Sequence, residues 1–235
     1  MNIPWLTRNV ACASILLGAA SLVAGNLLTL VNQPADDSFA ATFALVADSP
    51  GMWLLAATLA IAGSILWLPG LLAAGGTALR RGRILTVLGS LLMSFGLAVG
   101  VGHFAMFFGI FGSAAHSGLP VPSAQTLLEA EDGYVLGTVL LVVFIAGLSV
   151  GMLLLALGMR MAKVVPVWVP VAALIFTVTD FMGGTAATLV GALALLAVFI
   201  PMALAVRAAG IPAPGLPAAS SPEAQATPRT SVRGS

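Results

Sequence analysis

Six long apolar runs divide this chain, and its charges sort by sign onto the connections between them. Arg8, then Arg80, Arg81 and Arg83, then Arg160 and Lys163, then Arg207, Arg229 and Arg233 fall at ends that would share one side of a membrane. Asp36, Asp37 and Asp48, with Glu129, Glu131 and Asp132, fall in the opposite connections, which hold no Lys or Arg. Glu223 in the tail and Asp180 inside an apolar run depart from this order. Positive charge stays on the cytoplasmic side of a membrane, so the arrangement predicts both termini inside. The expected fold class is an all-α, polytopic transmembrane bundle of six spanning helices.

Apolar residues make up 60% of the chain and charged residues 7%, against about 25% charged in a soluble domain. So few charges could not cover a water-facing surface of this size, whereas lipid-facing helices need none. The lipid bilayer is therefore the expected partner. A net charge of +1 gives no sign of a nucleic-acid partner. With Cys12 as the one cysteine, no intramolecular disulfide can form. Cys12 lies at the start of its apolar run instead of after it, which argues against a lipoprotein signal. That first run exceeds the 7–15 residues or so of a cleavable signal core, so it reads as a membrane helix.

A bilayer core about 30 Å thick requires about 20 apolar helical residues. Val10–Val31, Gly51–Leu79, Ile84–Gly112, Tyr134–Met159, Val164–Met182 and Thr185–Val206 meet that requirement. They make residues 1–207 one transmembrane domain. Residues 208–235, rich in Pro, Ala, Ser and Thr without apolar periodicity, read as a disordered cytoplasmic tail. The inner connections, Arg80-Arg81-Gly82-Arg83 and Arg160-Met161-Ala162-Lys163, are short enough to enforce tight hairpins. Each long outer connection is expected to hold a short interfacial helix. In the first, Asp37 or Ser38 would cap a segment whose Phe39, Phe43 and Val46 share a face. Ser49-Pro50 then reads as the cap and first residue of the second span. In the second, Ser123 would cap a helix ending near Gly133.

Small residues recur with a helical period on three spans. Ala11, Ser14, Gly18, Ser21 and Gly25 form a stripe on the first. Gly89, Met93, Gly96, Gly100 and His103 do so on the third, and Gly147 and Gly151 make a GxxxG on the fourth. Membrane helices approach closely through such stripes. Four prolines interrupt the runs, of which Pro69 and Pro201 lie deep enough to bend a helix, whereas Pro166 and Pro170 lie near a helix start.

Three polar residues inside the spans are the candidate ligand or proton site: Asn26, His103 and Asp180. Counted at 1.5 Å per residue, Asn26 lies about 27 Å above Arg8, His103 about 30 Å above Arg83, and Asp180 about 26 Å above Lys163. All three thus fall at similar heights in the outer third of the bilayer. A charge at bilayer depth is costly, and a His–Asp pair at one level would relieve that cost. Alternatively, Asp180 caps the outer end of its helix while His103 meets interfacial water.

The ligand sets for other chemistries are missing from the sequence. His103 and His116 are the two histidines, and about 20 Å of helix separates them, too far to clamp one haem iron. Lys163, the one lysine, lies at the membrane edge, so no mid-membrane Schiff base can form. The glycine pairs lack any nucleotide-binding context. Ser90 and Ser94 lie turns below His103, and Asp180 has no second carboxylate in a span. No enzyme activity, cofactor or metal is expected.

The Ala/Gly/Leu/Val-rich helices, the arginine-dominated inner turns and the Pro/Ala tail set the texture of the chain. With them go Asp48-Ser49-Pro50-Gly51-Met52-Trp53 and Leu68-Pro69-Gly70-Leu71. In these features the chain resembles six-helix plasma-membrane proteins of GC-rich, actinobacterial-type bacteria whose function is not established. The resemblance implies a bacterial plasma membrane and no particular activity.

Two function classes fit. One is a small-solute carrier or permease-like subunit with an outward-facing polar pocket of Asn26, His103 and Asp180. The other is a non-transporting membrane partner, such as a sensor, immunity or assembly protein, acting through helix faces and outer loops, as a homo-oligomer or with another membrane protein. Convergence of His103 and Asp180 on a water-accessible cavity favours the first, and their separation favours the second.

Overall fold

A computed structural model describes residues 8–31, 39–78, 81–132, 135–182 and 184–209. Every regular element among them is a helix: α1 (Arg8–Val31), α2 (Phe39–Asp48), α3 (Pro50–Gly75), α4 (Arg83–His116), α5 (Val121–Asp132), α6 (Val135–Met161), α7 (Trp168–Met182) and α8 (Gly184–Ala209). Five of these, α1, α3, α4, α6 and α8, are long and apolar enough to cross a membrane. Large apolar side chains stand exposed on their outer surfaces, among them Leu54, Ile84, Phe95 and Leu193. In water such a surface would aggregate, whereas in a bilayer it is the natural lipid-facing side.

The fifth expected run forms a shorter helix than its sequence suggests, 15 residues instead of a span from Val164. The reason is the way α6 stops. Val164 donates its N–H to the Met159 carbonyl and Lys163 donates to Arg160, at 3.0 and 2.9 Å. This paired closure places Lys163 in the left-handed region at φ 60°. Val164 is thereby tied to the end of α6, and Val165, Pro166 and Val167 precede the first turn of α7. The other expected ends move by a few residues. α3 stops at Gly75 instead of Leu79, because its last turn tightens into i→i+3 bonds from Gly76 to Ala73 and from Thr77 to Ala74. α4 runs on to His116. α5 starts at Val121, since the Pro120 carbonyl already accepts the N–H groups of Ser123 and Ala124. Ser123 is therefore inside that helix and does not cap it.

Ser49 precedes Pro50 as expected, but its side chain makes no cap bond; its carbonyl accepts from Met52 and Trp53 instead. Asp37 and Ser38 lie outside the described residues, as does the expected tail from residue 210 onward, α8 continuing through Ala209.

The six longer elements close into a ring: α1 packs on α3, α3 on α4, α4 on α6, α6 on α7, α7 on α8, and α8 back on α1. Neighbours run antiparallel. Gly63 of α3 meets Ser21 of α1 while Gly70 meets Ile15, and Gly96 of α4 meets Gly147 of α6 while Gly151 meets Met93. This alternation brings Arg8, Arg81, Arg83, Arg160, Lys163 and Arg207 to one end of the bundle. Asp48 and Glu129 lie at the other. The interior holds Ile15, Trp67, Leu71, Met93, Leu97, Met152, Leu155, Leu195, Phe199 and Met202, all fully buried. α2 and α5 sit at the acidic end, where Phe43, Ala114 and Ala124 form a small separate core with Phe39 packed against it.

Candidate functional site at the acidic end

The small-residue stripes are taken up inside the ring. A Cβ on Gly18 would lie 2.5 Å from the Cβ of Trp67, and one on Gly70 would lie 2.5 Å from Ile15 Cγ1. Trp67 fills the space so created and meets the Phe199 ring edge-on at 4.5 Å. Between α4 and α6 the approach is backbone to backbone. A Cβ on Gly96 would lie 2.7 Å from the Gly147 Cα, and one on Gly151 would lie 2.5 Å from the Met93 nitrogen. Gly100 faces the Phe144 ring, whereas Gly25 has only Leu59 Cβ at 3.9 Å. At the basic end Gly82 combines a positive φ of 79° with contact against the Gly158 carbonyl, so two requirements exclude a side chain there.

Serines tie the same seams with hydrogen bonds. Ser14 Oγ donates to the Leu66 carbonyl and accepts from the Gly70 N–H, while Ser90 Oγ donates to the Leu71 carbonyl at 2.6 Å. In lipid a backbone loosened at Pro69 has no water to turn to, and the Ser14 hydroxyl supplies partners beside it.

His103 and Asp180 form no ion pair. The His103 ring lies between Phe107 of α4 and Phe144 of α6, with centroids at 6.3 and 6.4 Å and ring planes within 21° and 18° of parallel. Its Nδ1 is buried without a hydrogen-bond partner. Asp180 is exposed near the end of α7, a helix that packs on α8 and α6, whereas α4 packs on α3 and α6. Asn26 is half-buried on α1. Among the described residues, no three of His, Cys, Asp and Glu come together in a way that could hold a metal ion.

What the structure does assemble at this end is aromatic. The Trp53 indole of α3 lies 4.8 Å from Phe108, 5.6 Å from Phe111 and 5.7 Å from Phe107 on α4. Its Nε1 donates to the Phe108 carbonyl at 3.0 Å. Phe39 of α2 joins through Phe111 at 5.9 Å and Phe43 at 5.7 Å. This cluster ties the acidic ends of α3 and α4 together, with α2 packed against them. Its sequence signal is the recurrence of Phe104, Phe107, Phe108 and Phe111 at helical spacing, which the search for ionisable groups passes over.

Beside the cluster, a groove of about 730 Å³ lies between α3 and α4. Trp53, Leu54, Ala57 and Ile61 form one wall, Ala105, Phe108, Gly109 and Gly112 the other, and Val46 and Ala47 of α2 the roof. Ser113 and His116 stand at its α2 end. Leu54 is 67% exposed, so the groove opens on the flank of the bundle. The glycines here differ from those at the helix seams: a Cβ on Gly109 would meet nothing within 4 Å, and one on Gly112 only the Trp53 ring at 3.6 Å. Compared with known protein families, curated proteins and solved structures, the chain matches none.

Proposed function

We propose that this protein is a non-transporting membrane partner that binds through the acidic end of its bundle. The observation that supports this most directly is the separation of its two intramembrane ionisable groups. His103 is half-buried against Phe107 and Phe144, and Asp180 stands exposed on a helix that does not pack on α4, so neither completes a polar pocket with the other. Proton- or ion-coupled carriers place such groups together at a water-accessible point. The small-residue faces are already used between helices of the same chain. That leaves α2, α5 and the apolar groove as the surface available for recognition.

The topology proposed with it has six crossings and both termini in the cytoplasm of a bacterial plasma membrane. α7 is the sixth crossing, since antiparallel packing between α6 and α8 carries it from the basic to the acidic end. Its length of about 22 Å is then completed by the apolar residues before it. Single cysteines introduced on a Cys12→Ala background check the orientation. An impermeant thiol reagent applied from outside should label position 125 and leave position 81, on the exposed basic turn, unlabelled.

A photo-reactive residue at Gln125 or Thr126, both exposed on α5, tests the function in living cells. The expected result is one adduct of defined mass, with the same molecule identified at both positions. Absence of any adduct, together with solute uptake into proteoliposomes that Asp180→Asn or His103→Ala abolishes, would return the protein to the carrier class.

A further inference from the structure

We infer that the basic end of the bundle carries a binding site for one anionic phospholipid, in the cavity between the end of α3 and the start of α4, with the lipid phosphate at Arg83. The inference is independent of the recognition surface proposed above, which lies at the opposite end. It rests on the placement of the apolar bundle in a bilayer.

The cavity, of about 370 Å³, is built by the way α3 and α4 meet. Ser90 of α4 is buried and donates to the Leu71 carbonyl of α3 at 2.6 Å. A Cβ on Gly75 would lie 2.9 Å from that same hydroxyl oxygen, so the two helices touch there and close the floor. Outward from this contact, Leu72 of α3 and Val87 and Leu91 of α4 form the walls, and all three are exposed on the flank of the bundle. Arg83, Val87 and Leu91 follow at i, i+4 and i+8, which keeps them close to one face of α4. Arg83 ends that stripe at the basic rim, about 12 Å along the helix from Leu91.

Charge decides the occupant. Arg83 is exposed, and Arg8, Arg81, Arg160, Lys163 and Arg207 share its end of the bundle. Every described Asp and Glu lies on α2, on α5 or near the far end of α7, so no carboxylate among the described residues offsets these cations. The start of α4 adds to the same field. Gly82 supplies no side-chain cap, and the N–H groups of Arg83, Ile84 and Leu85 have no acceptor within the helix. The mouth of the cavity therefore favours an anion over a neutral or cationic head. Its walls decide between a soluble anion and a lipid. A free phosphate would cover Arg83 and leave Leu72, Val87 and Leu91 bare, whereas a phospholipid covers both, its phosphate at the rim and its chain along the walls. Basic pockets between membrane helices recognise acidic headgroups in this way.

Native mass spectrometry of the detergent-solubilised protein, titrated with phosphatidylglycerol, tests the assignment. The first phosphatidylglycerol should bind more tightly than the first phosphatidylcholine. Arg83→Gln should weaken that first binding by about fivefold, the scale of one basic residue beside an acidic headgroup. Because Arg83 is exposed, the change leaves the packed interior intact. Arg207→Gln removes the same charge from the same end, but on α8, which packs on α1 and α7. It should leave the first binding within about twofold of the wild-type value. Neither glycerol phosphate nor inorganic phosphate at millimolar concentration should displace the lipid. Equal affinity for phosphatidylcholine would mean that charge makes no selection. A loss in Arg83→Gln no larger than in Arg207→Gln would mean a diffuse basic rim, and displacement by either soluble phosphate a site for a free anion. Each of these results overturns the inference, and none of them bears on the Gln125 adduct at the opposite end.

Discussion

Ser14 of α1 inserts its hydroxyl into the backbone of α3 beside Gly70, accepting from the Gly70 N–H at 2.9 Å and donating to the Leu66 carbonyl. In an uninterrupted helix those two backbone groups would bond each other. Pro69 lies between them in sequence and lacks an N–H, so the ladder is already weakened where the serine enters. Neighbouring glycines make the approach possible, since α1 and α3 touch through Gly18 and Gly70 on either side.

Ser14→Ala should therefore destabilise the detergent-solubilised protein by about 1 kcal/mol, between the average of about 0.6 and the maximum of about 1.7 found for polar contacts between membrane helices. Pro69→Ala lets the ladder re-form and should reduce the effect of losing Ser14. A double-mutant cycle followed by unfolding is expected to show coupling of about 0.5 kcal/mol or more. Strict additivity would mean that the serine and the proline act independently.

Two glycines on α4 should respond to alanine with opposite signs. At Gly96 the new Cβ would lie 2.7 Å from the Gly147 Cα, a backbone atom that cannot turn aside. Overpacking of this kind typically destabilises by about 1–3 kcal/mol. At Gly109 the new methyl meets nothing, so the helix should gain about 0.5–1 kcal/mol from lower backbone entropy in the unfolded chain. Thermal unfolding of the two variants is sufficient to check this, and a loss of stability in both would show that Gly109 is packed after all.

His103→Phe should be tolerated or mildly stabilising. A phenyl ring can keep the stacking with Phe107 and Phe144 while removing a buried nitrogen without a partner, a defect worth about 1–3 kcal/mol. Combined with Asp180→Asn, the effects should add to within about 0.5 kcal/mol, as expected for residues that do not touch. A coupling above about 1 kcal/mol would favour a conformation in which the two groups meet, and with it the carrier class.

Lys163→Gly should stabilise the protein by about 1 kcal/mol, because the left-handed conformation after α6 is unfavourable for a lysine and free of strain for glycine. The φ of 60° at this position is the only positive value at a non-glycine among the described residues. Unchanged or lower stability would show that the ammonium group contributes more at this basic end than the backbone loses.

Charge and hydropathy determined the class of this protein without any tertiary information. Membrane physics makes both decisive: an apolar run of sufficient length has one stable use, and basic residues mark one side of it. The contact stripes were legible too, since Gly96, Gly147 and Gly151 recur at helical spacing and backbone contact tolerates no side chain. Local bonding modified the helix ends, as with the closure around Lys163 and Val164 that shortens α7 and the Pro120 carbonyl that starts α5 early. The grouping of polar residues could not be read from the chain. Equal height along a membrane normal says nothing about azimuth, so His103 and Asp180 could lie at one level and still point into different surroundings. The order of helices around the ring fixes that azimuth. The same order brings Trp53 to the α4 phenylalanines and leaves open the groove beside Gly109, because those contacts join residues more than 50 positions apart.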